Sequence, residues 1–244
     1  MIGIFYFSST GNSLYIAKQI KSELSGEMIY IPKYDGDGAE FGRLIVVSPV
    51  YSWGLPKHTY DLFPRLSKKV RLDLVLNYGG MLGGADRFAY EYAKACGLKI
   101  MSVQCLKMPE NYTLSFTVPE FYLKSTLNKA PKRIAKVIEK LKISSVLQPK
   151  SKKMRSEKYE DNKSKWHLIA SDFTITQSCV RCGKCVSICP SGNIRMEEGR
   201  IRFLDQCVAC LGCYHRCPEK AIRYRNKTKS DRYFNPLVDE SELG

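Results

Sequence analysis

The chain has 244 residues, 44% of them apolar, enough for one large domain or two modest ones around ordinary cores. Its 39 Lys and Arg against 24 Asp and Glu give a formal charge of +15, which favours acidic partners or surfaces. No apolar run is long enough to span a bilayer, and Met1 to Phe7 lack the basic lead and cleavage site of a secretion signal, so a cytoplasmic location without a transmembrane segment is expected.

The apolar runs Ile2 to Phe7, Met28 to Ile31, Arg43 to Val47, Leu72 to Leu76 and Leu98 to Leu106 read as strands of a parallel sheet covered on both faces. Between them the periodicity turns helical. Ile16, Ala17, Ile20 and Leu24 share one face, as do Tyr60, Phe63 and Leu66, then Phe88, Ala89, Tyr92 and Ala93. The stretch from Ile31 to Arg43 is too short and Gly-rich for a full helix. A last helix is predicted over Lys132 to Lys142, with Ile134, Val137, Ile138 and Leu141 inward. Residues 1–147 are therefore expected to form a doubly wound, five-stranded α/β domain. The segment from Leu106 to Lys129, with Tyr112, Phe121 and Tyr122, is longer than a direct connection needs. It is expected either to roof a substrate pocket or to pack against the C-terminal part.

Gln148 to Lys165 carries seven Lys or Arg against three acidic residues, with Met154 and Tyr159 as its large apolar exceptions. Residues 148–170 read as an interdomain linker, 171–228 as a second small domain and 229–244 as a tail.

Eight of the ten cysteines fall between Cys179 and Cys217, a clustering that points to metal ligation in an intracellular chain. Cys179, Cys182, Cys185 and Cys189-Pro190 spell C-x2-C-x2-C-x3-C-P, and Cys207, Cys210, Cys213 and Cys217-Pro218 repeat it 28 residues on. Each Cys-Pro is followed by an isoleucine, Ile194 or Ile222. Three thiolates at two-residue intervals let one tight loop wrap three iron corners of a cube, whereas zinc uses two C-x2-C pairs and needs neither the third thiolate nor the proline. The run resembles that of bacterial ferredoxins with two [4Fe-4S] clusters. The resemblance implies a small α+β fold and crossed ligation. One cluster would take Cys179, Cys182, Cys185 and Cys217, the other Cys207, Cys210, Cys213 and Cys189. Val180, Val186, Ile188, Val208, Ala209 and Leu211 are expected to keep water from the clusters and lower their potentials.

Near the N-terminus the first strand runs into Ser8-Ser9-Thr10-Gly11-Asn12-Ser13 and then directly into a helix. Free N–H groups, a helix dipole and hydroxyl donors suit a phosphate, although the same residues also serve as ordinary helix caps. The loop lacks the glycine-lysine ending of a Walker A loop and the three spaced glycines of a dinucleotide site. It resembles the phosphate loop of flavodoxins in the order hydroxyl, hydroxyl, Thr-Gly-Asn-Ser. That resemblance implies an FMN held by Ser8, Ser9, Thr10, Gly11, Asn12 and Ser13. Two more loops follow strand carboxyl ends, where flavodoxins hold the flavin ring. One contains Pro49, Tyr51, Ser52, Trp53 and Gly54, and the other Asn77, Tyr78, Gly79 and Gly80. Trp53 or Tyr51 would stack on the ring, and the glycines would let backbone approach its polar edge.

The whole chain resembles the flavodoxin-ferredoxin fusion proteins of anaerobes in domain order, phosphate loop and the Pro-Val-Tyr segment ending Gly-Leu-Pro. It departs from ordinary flavodoxins in having no acidic residue between Asn77 and Gly84, which implies a raised flavin potential. The resemblance implies an electron-transfer protein linking redox protein partners through FMN and two [4Fe-4S] clusters, with no catalytic residue of its own. The alternative is a flavin-dependent reductase of a small quinone-like acceptor. Nucleic-acid binding is not expected, since no recognised module is visible. His58 reads as a solvated first-turn histidine, His215 could tune a cluster sulfur, His167 has no motif around it, and Cys96 and Cys105 read as small buried hydrophobes.

Overall fold

Alternation along the central strands sets two apolar faces, and each recruits its own helices. The computed structural model describes residues 1–114, 117–143, 148–225 and 231–243. Its first part contains β1 (Ile2–Tyr6), α1 (Asn12–Leu24), β2 (Glu27–Tyr30), β3 (Arg43–Pro49), α2 (Lys57–Leu62), β4 (Arg71–Tyr78), α3 (Ala85–Ala95), β5 (Lys99–Lys107), α4 (Glu120–Asn128) and α5 (Ala130–Lys142). The five strands pair in parallel in the order β2-β1-β3-β4-β5, which is the flavodoxin-like doubly wound order.

Ile4, Tyr6, Ile45, Val47 and Val75 face one way and pack with α1 and α5 through Ile16, Ile20, Ile134 and Val137. Phe5, Phe7, Leu44, Val46, Leu72, Leu74 and Leu76 face the other way, towards Leu62, Phe63, Phe88 and Ala89. Between β2 and β3 only a 3-10 turn forms, Ile31–Lys33, as the Gly-rich spacing implied. Tyr34 and Phe41 cover Phe5 there with edge-on rings 4.7 and 5.7 Å away. Buried Asp73 on β4 accepts from Arg43 Nε at 2.7 Å and from Ser102 Oγ at 2.6 Å, so its charge is paired rather than stranded.

The second part carries α6 (Ser156–Ser164), β6 (Phe173–Ile175), α7 (Lys184–Ser187), β7 (Ile194–Glu197), β8 (Arg200–Phe203), α8 (Gly212–Arg216) and β9 (Ile222–Tyr224). β6 pairs antiparallel with β9 and β7 with β8, and Ile194 and Ile222 open equivalent strands, as the internal repeat requires. Leu114, Phe173, Leu211, Tyr214 and Ile222 form its small core. The domain boundaries expected at 147 and at 228/229 fall on residues outside those described.

The polar stretch from Gln148 to Lys165, read as an interdomain linker, packs on the first part. Asp86 Oδ2 accepts the N–H groups of Lys150 and Ser151, and α6 drives Tyr159 into the flavodoxin-like core at 0% exposure. Tyr159 donates its hydroxyl to Leu55 O at 2.7 Å, and Trp166, just beyond α6, stands edge-on to it. A single Tyr among many charges carries too little periodic signal to mark a helix that packs, because the remaining positions face water. Gly54 is required here, since a Cβ on it would overlap the Tyr159 ring.

Tyr159→Ala is expected to lower unfolding free energy by about 3–5 kcal/mol in urea denaturation, and Tyr159→Phe by about 1–3 kcal/mol through the orphaned Leu55 carbonyl. A wild-type midpoint for both variants would show that the segment contributes nothing to the core.

Candidate functional site

The loops that end β1, β3, β4 and β5 gather at one sheet edge, beside the point where strand order reverses between β1 and β3. The structure brings Ser8 to Ser13 there as an enclosed turn, each residue buried, with Gly11 at φ 90° directly before α1. No side chain caps α1, so its first-turn N–H groups are not taken by a side chain. Asn77 Nδ2 donates to Ser13 Oγ at 2.8 Å, and Asn111 Nδ2 to Thr10 Oγ1 at 2.6 Å. Ser8 Oγ accepts the Gly11 N–H at 3.1 Å. Each of these three hydroxyls thus serves as acceptor and keeps its own proton to donate, a donor set that fits a phosphate. Ser9 differs: its Oγ donates to Cys210 O at 2.7 Å and lies 3.3 Å from the Tyr51 hydroxyl, tying the turn to the second cysteine loop.

Tyr51 to Gly54 closes a two-residue turn, with Ser52 at φ 49° and Trp53 at φ 69°. Both central residues are left-handed, as in a type I′ turn, and a tryptophan held there is strained. Trp53 lies against Gly83 of the next loop, with Arg155 and Lys158 over its ring at 5.2 and 5.3 Å. Tyr51 turns inward instead, edge-on to Phe7 and Trp166, so of the two expected stacking rings only Trp53 lies on the loop from Asn77 to Gly84. Pro49 ends β3 opposite Asn77, whose carbonyl accepts the Val50 N–H at 2.8 Å. Tyr78 O accepts the Met108 N–H at 2.9 Å.

Gly79 and Gly80 meet a residue that the motif reading missed. Glu110 Oε2 accepts the Gly80 N–H at 2.7 Å, and its other oxygen takes the N–H groups of Asn111 and Tyr112. The expectation of a raised flavin potential assumed no negative charge on this loop, and Glu110 supplies one from the segment after β5. The only signal in the chain was the unusual length of that segment.

Cys179, Cys182, Cys185 and Cys217 line one cavity with Val180, Gly183 and Pro218. Burial, reinforced by Cys217 and Cys179, pushes the Cys185 thiol up to about 11. In the second loop burial raises Cys210 to about 12, against the Gly212 N–H, with Cys207 and Cys189 adding to the rise. Metal binding would therefore have to displace protons from these sulfurs. Asn193 N–H donates to Cys189 Sγ at 3.2 Å and Ala221 N–H to Cys217 Sγ at 3.3 Å, the same bond in both halves of the repeat. Among the described residues no group of three or more His, Cys, Asp or Glu is gathered closely enough to hold a single metal ion.

Shielding of the two loops is unequal. Val208, Ala209 and Leu211 are buried, with Ala209 in the flavodoxin-like core, but Val180 is 62% exposed and Cys182 is open to solvent. The expectation that Val180 excludes water is corrected accordingly. His215 does not reach a sulfur: its Nδ1 accepts the Tyr233 N–H at 3.1 Å and its Nε2 donates to Asn111 O at 2.8 Å. Burial holds it near pKa 4, as a neutral crosslink. His58 is half-buried rather than solvated, its Nε2 without a partner among the described residues and its ring beside Phe7. Cys96 and Cys105 are half-buried at the edge of the core.

The tail also enters the site. Tyr233 Oη and Asn235 Nδ2 both donate to Asn12 Oδ1, at 2.6 and 3.1 Å, and Asn235 N–H donates to Thr10 O at 2.9 Å. Glu240 pairs with Arg216 and Lys184, and Glu242 with Lys18. Asn235→Ala is expected to cost about 1–3 kcal/mol by leaving buried polar groups unpaired, and to speed proteolysis of the tail. Unchanged stability and protease resistance would mean that the turn holds its shape without the tail.

Residues 178–222 match the family model described as a 4Fe-4S dicluster domain. Over 52 residues the chain is 33% identical to a polyferredoxin protein of Methanothermus fervidus, covering 21% of this chain and 13% of that one. Over 48 residues it is 40% identical to a pyruvate synthase subunit of Methanocaldococcus jannaschii, covering 19% and 56%. The chain thus spans well under two thirds of these relatives. Solved structures similar to it include the flavodoxin of Fusobacterium nucleatum bound to flavin mononucleotide, at 20% identity and a TM-score of 0.42 over 58% of this chain and 96% of that one. Another is the two-electron reduced flavodoxin of Megasphaera elsdenii, at 20% identity and 0.39 over 43% and 85%. Strand order and register define the flavodoxin-like fold of the first part. Among the described residues no helix is long and apolar enough to cross a membrane. The chain joins a flavodoxin-like fold to a ferredoxin-type iron–sulfur domain.

Proposed function

We propose that the protein is an electron carrier that holds FMN on the sheet edge and two [4Fe-4S] clusters on the cysteine repeat, and serves redox protein partners. When bound, the clusters supply one-electron transfer and FMN a store for one or two electrons. The observation that carries the reading is the hydrogen bond from Ser9 to the Cys210 carbonyl. It seats the second cysteine loop on the Ser8 to Ser13 turn, which supports placing the two kinds of site side by side.

Ser8, Thr10 and Ser13 would hold the phosphate with the first-turn N–H groups of α1, and Trp53 would bound the ring. Cys179, Cys182, Cys185 and Cys217 would hold the cluster that faces solvent, and Cys207, Cys210, Cys213 and Cys189 the one facing the flavodoxin-like part. The exposed loop around Val180 and Cys182 suits docking of a partner, while Val208, Ala209 and Leu211 exclude water from the inner site.

A carrier is preferred to a reductase because Asn111, Thr113 and Leu114, in the segment after β5, pack against the ferredoxin-type part and the tail. Leu114 enters that core, Thr113 Oγ1 donates to Asp231 O, and Asn111 O accepts from His215.

An anaerobic reductive titration followed by absorbance and electron paramagnetic resonance is expected to show flavin and clusters filling over overlapping potentials. Flavin filling far above the clusters would favour a reductase, and no flavin signal would end the FMN reading. Cys182→Ala is expected to remove one cluster and keep flavin, and Thr10→Asp to expel flavin and keep both clusters. Loss of every cofactor in either variant would count against separable sites. Glu110→Gln, which removes the negative charge on the Gly80 loop, is expected to make flavin several-fold easier to reduce in the same titration. An unmoved flavin midpoint would place Glu110 outside the flavin's field.

A further inference from the structure

Arg232 is a cation that the proposed sites leave unused. Its Nη2 donates to Lys220 O at 3.1 Å and to Ile222 O at 2.5 Å, and its guanidinium lies 3.6 Å from the centre of the Tyr214 ring. Nε and Nη1 are buried and have no hydrogen-bond partner among the described residues. Buried guanidinium donors left unpaired are unfavourable. Its neighbours adjoin cysteines assigned to different clusters. Tyr214 follows Cys213, while Lys220 and Ile222 flank Ala221, whose N–H donates to Cys217 Sγ. Burial favours loss of the guanidinium proton, and the Cys217 and Cys213 sulfurs, once ionised by ligation, would oppose it.

We propose that Arg232 sets the reduction potential of the cysteine-held clusters, its two unpaired donors and its charge being satisfied by cluster sulfur, most strongly on the Cys217 side. The proposal rests on the two-cluster reading. One electron from dithionite adds one negative charge to each cluster, and a nearby half-buried cation offsets that added charge and makes reduction easier. A residue on the tail would thereby act on both clusters at once. It belongs to neither cysteine motif and stands 15 residues beyond Cys217, where spacing carries no signal.

The test is a dithionite titration of the intact, cluster-loaded protein, followed by electron paramagnetic resonance, with iron and sulfide content measured on each sample. The signal that disappears in Cys182→Ala marks the Cys217 cluster. Arg232→Met and Arg232→Gln are expected to shift the reduction equilibrium of that cluster about tenfold against reduction, ~59 mV for one electron, and that of the other cluster by less. Arg232→Lys, which keeps charge but not the fork of donors, is expected to shift it less in the same direction. Wild-type midpoints in whichever of these variants retain clusters would overturn the proposal and leave Arg232 as a tail anchor. If the neutral variants lose their clusters, Arg232→Lys alone decides, with an unmoved midpoint counting against it. A wild-type protein without reducible clusters would instead defeat the two-cluster reading, so the two failures are distinguishable.

Discussion

Ser9 donating its hydroxyl to the carbonyl of Cys210 is the interaction on which the arrangement of this molecule depends. Ser9 is buried and Cys210 half-buried, so breaking the bond would leave a polar atom without a ready substitute partner. It also sets an alignment. The Ser8 to Ser13 turn opens α1, the cysteine loop opens α8, and one hydrogen bond holds the two loop-to-helix junctions face to face.

Apolar packing makes that contact part of a larger weld. Tyr159 and Trp166 from the basic segment and Ala209 from the cysteine loop belong to the same core as Phe7 and Val46, while Ile45 and Val47 lie on the opposite face of the sheet. The charged residues of α6 face water or stack on rings, as Lys163 does over Tyr60 at 4.0 Å. Asn12 supplies a polar counterpart. It accepts from Tyr233 and Asn235 and donates to Pro109 O, so three distant segments share one buried amide.

The result is asymmetric. One cysteine loop is enclosed between the sheet edge, the segment after β5 and the tail, whereas the other presents Val180 and Cys182 to solvent. The two loops share their cysteine spacing but not their filling: Arg181, Gly183 and Lys184 in one stand where Ala209, Leu211 and Gly212 stand in the other, so the inequality follows from composition as well as from what each copy packs against.

The five strands, the doubly wound order and the missing helix after β2 were legible in the chain, because burial on both faces imposes continuous apolar runs and glycine-rich gaps cannot sustain a helix. The cysteine repeat and the Ser8 to Ser13 turn stood out for a related reason: ligation and phosphate binding demand particular atoms at short, fixed intervals. The roles of Glu110, Asn111, Tyr159, Arg232, Tyr233 and Asn235 did not. Most act on a partner far away in sequence, Asn12 and Asn235 being 223 residues apart, and such pairing leaves no local period. Local chemistry therefore determined the elements and candidate ligands, while only tertiary packing decided which loop is buried, which charge reaches it and how the two halves are joined, because those depend on desolvation and on geometry between remote segments.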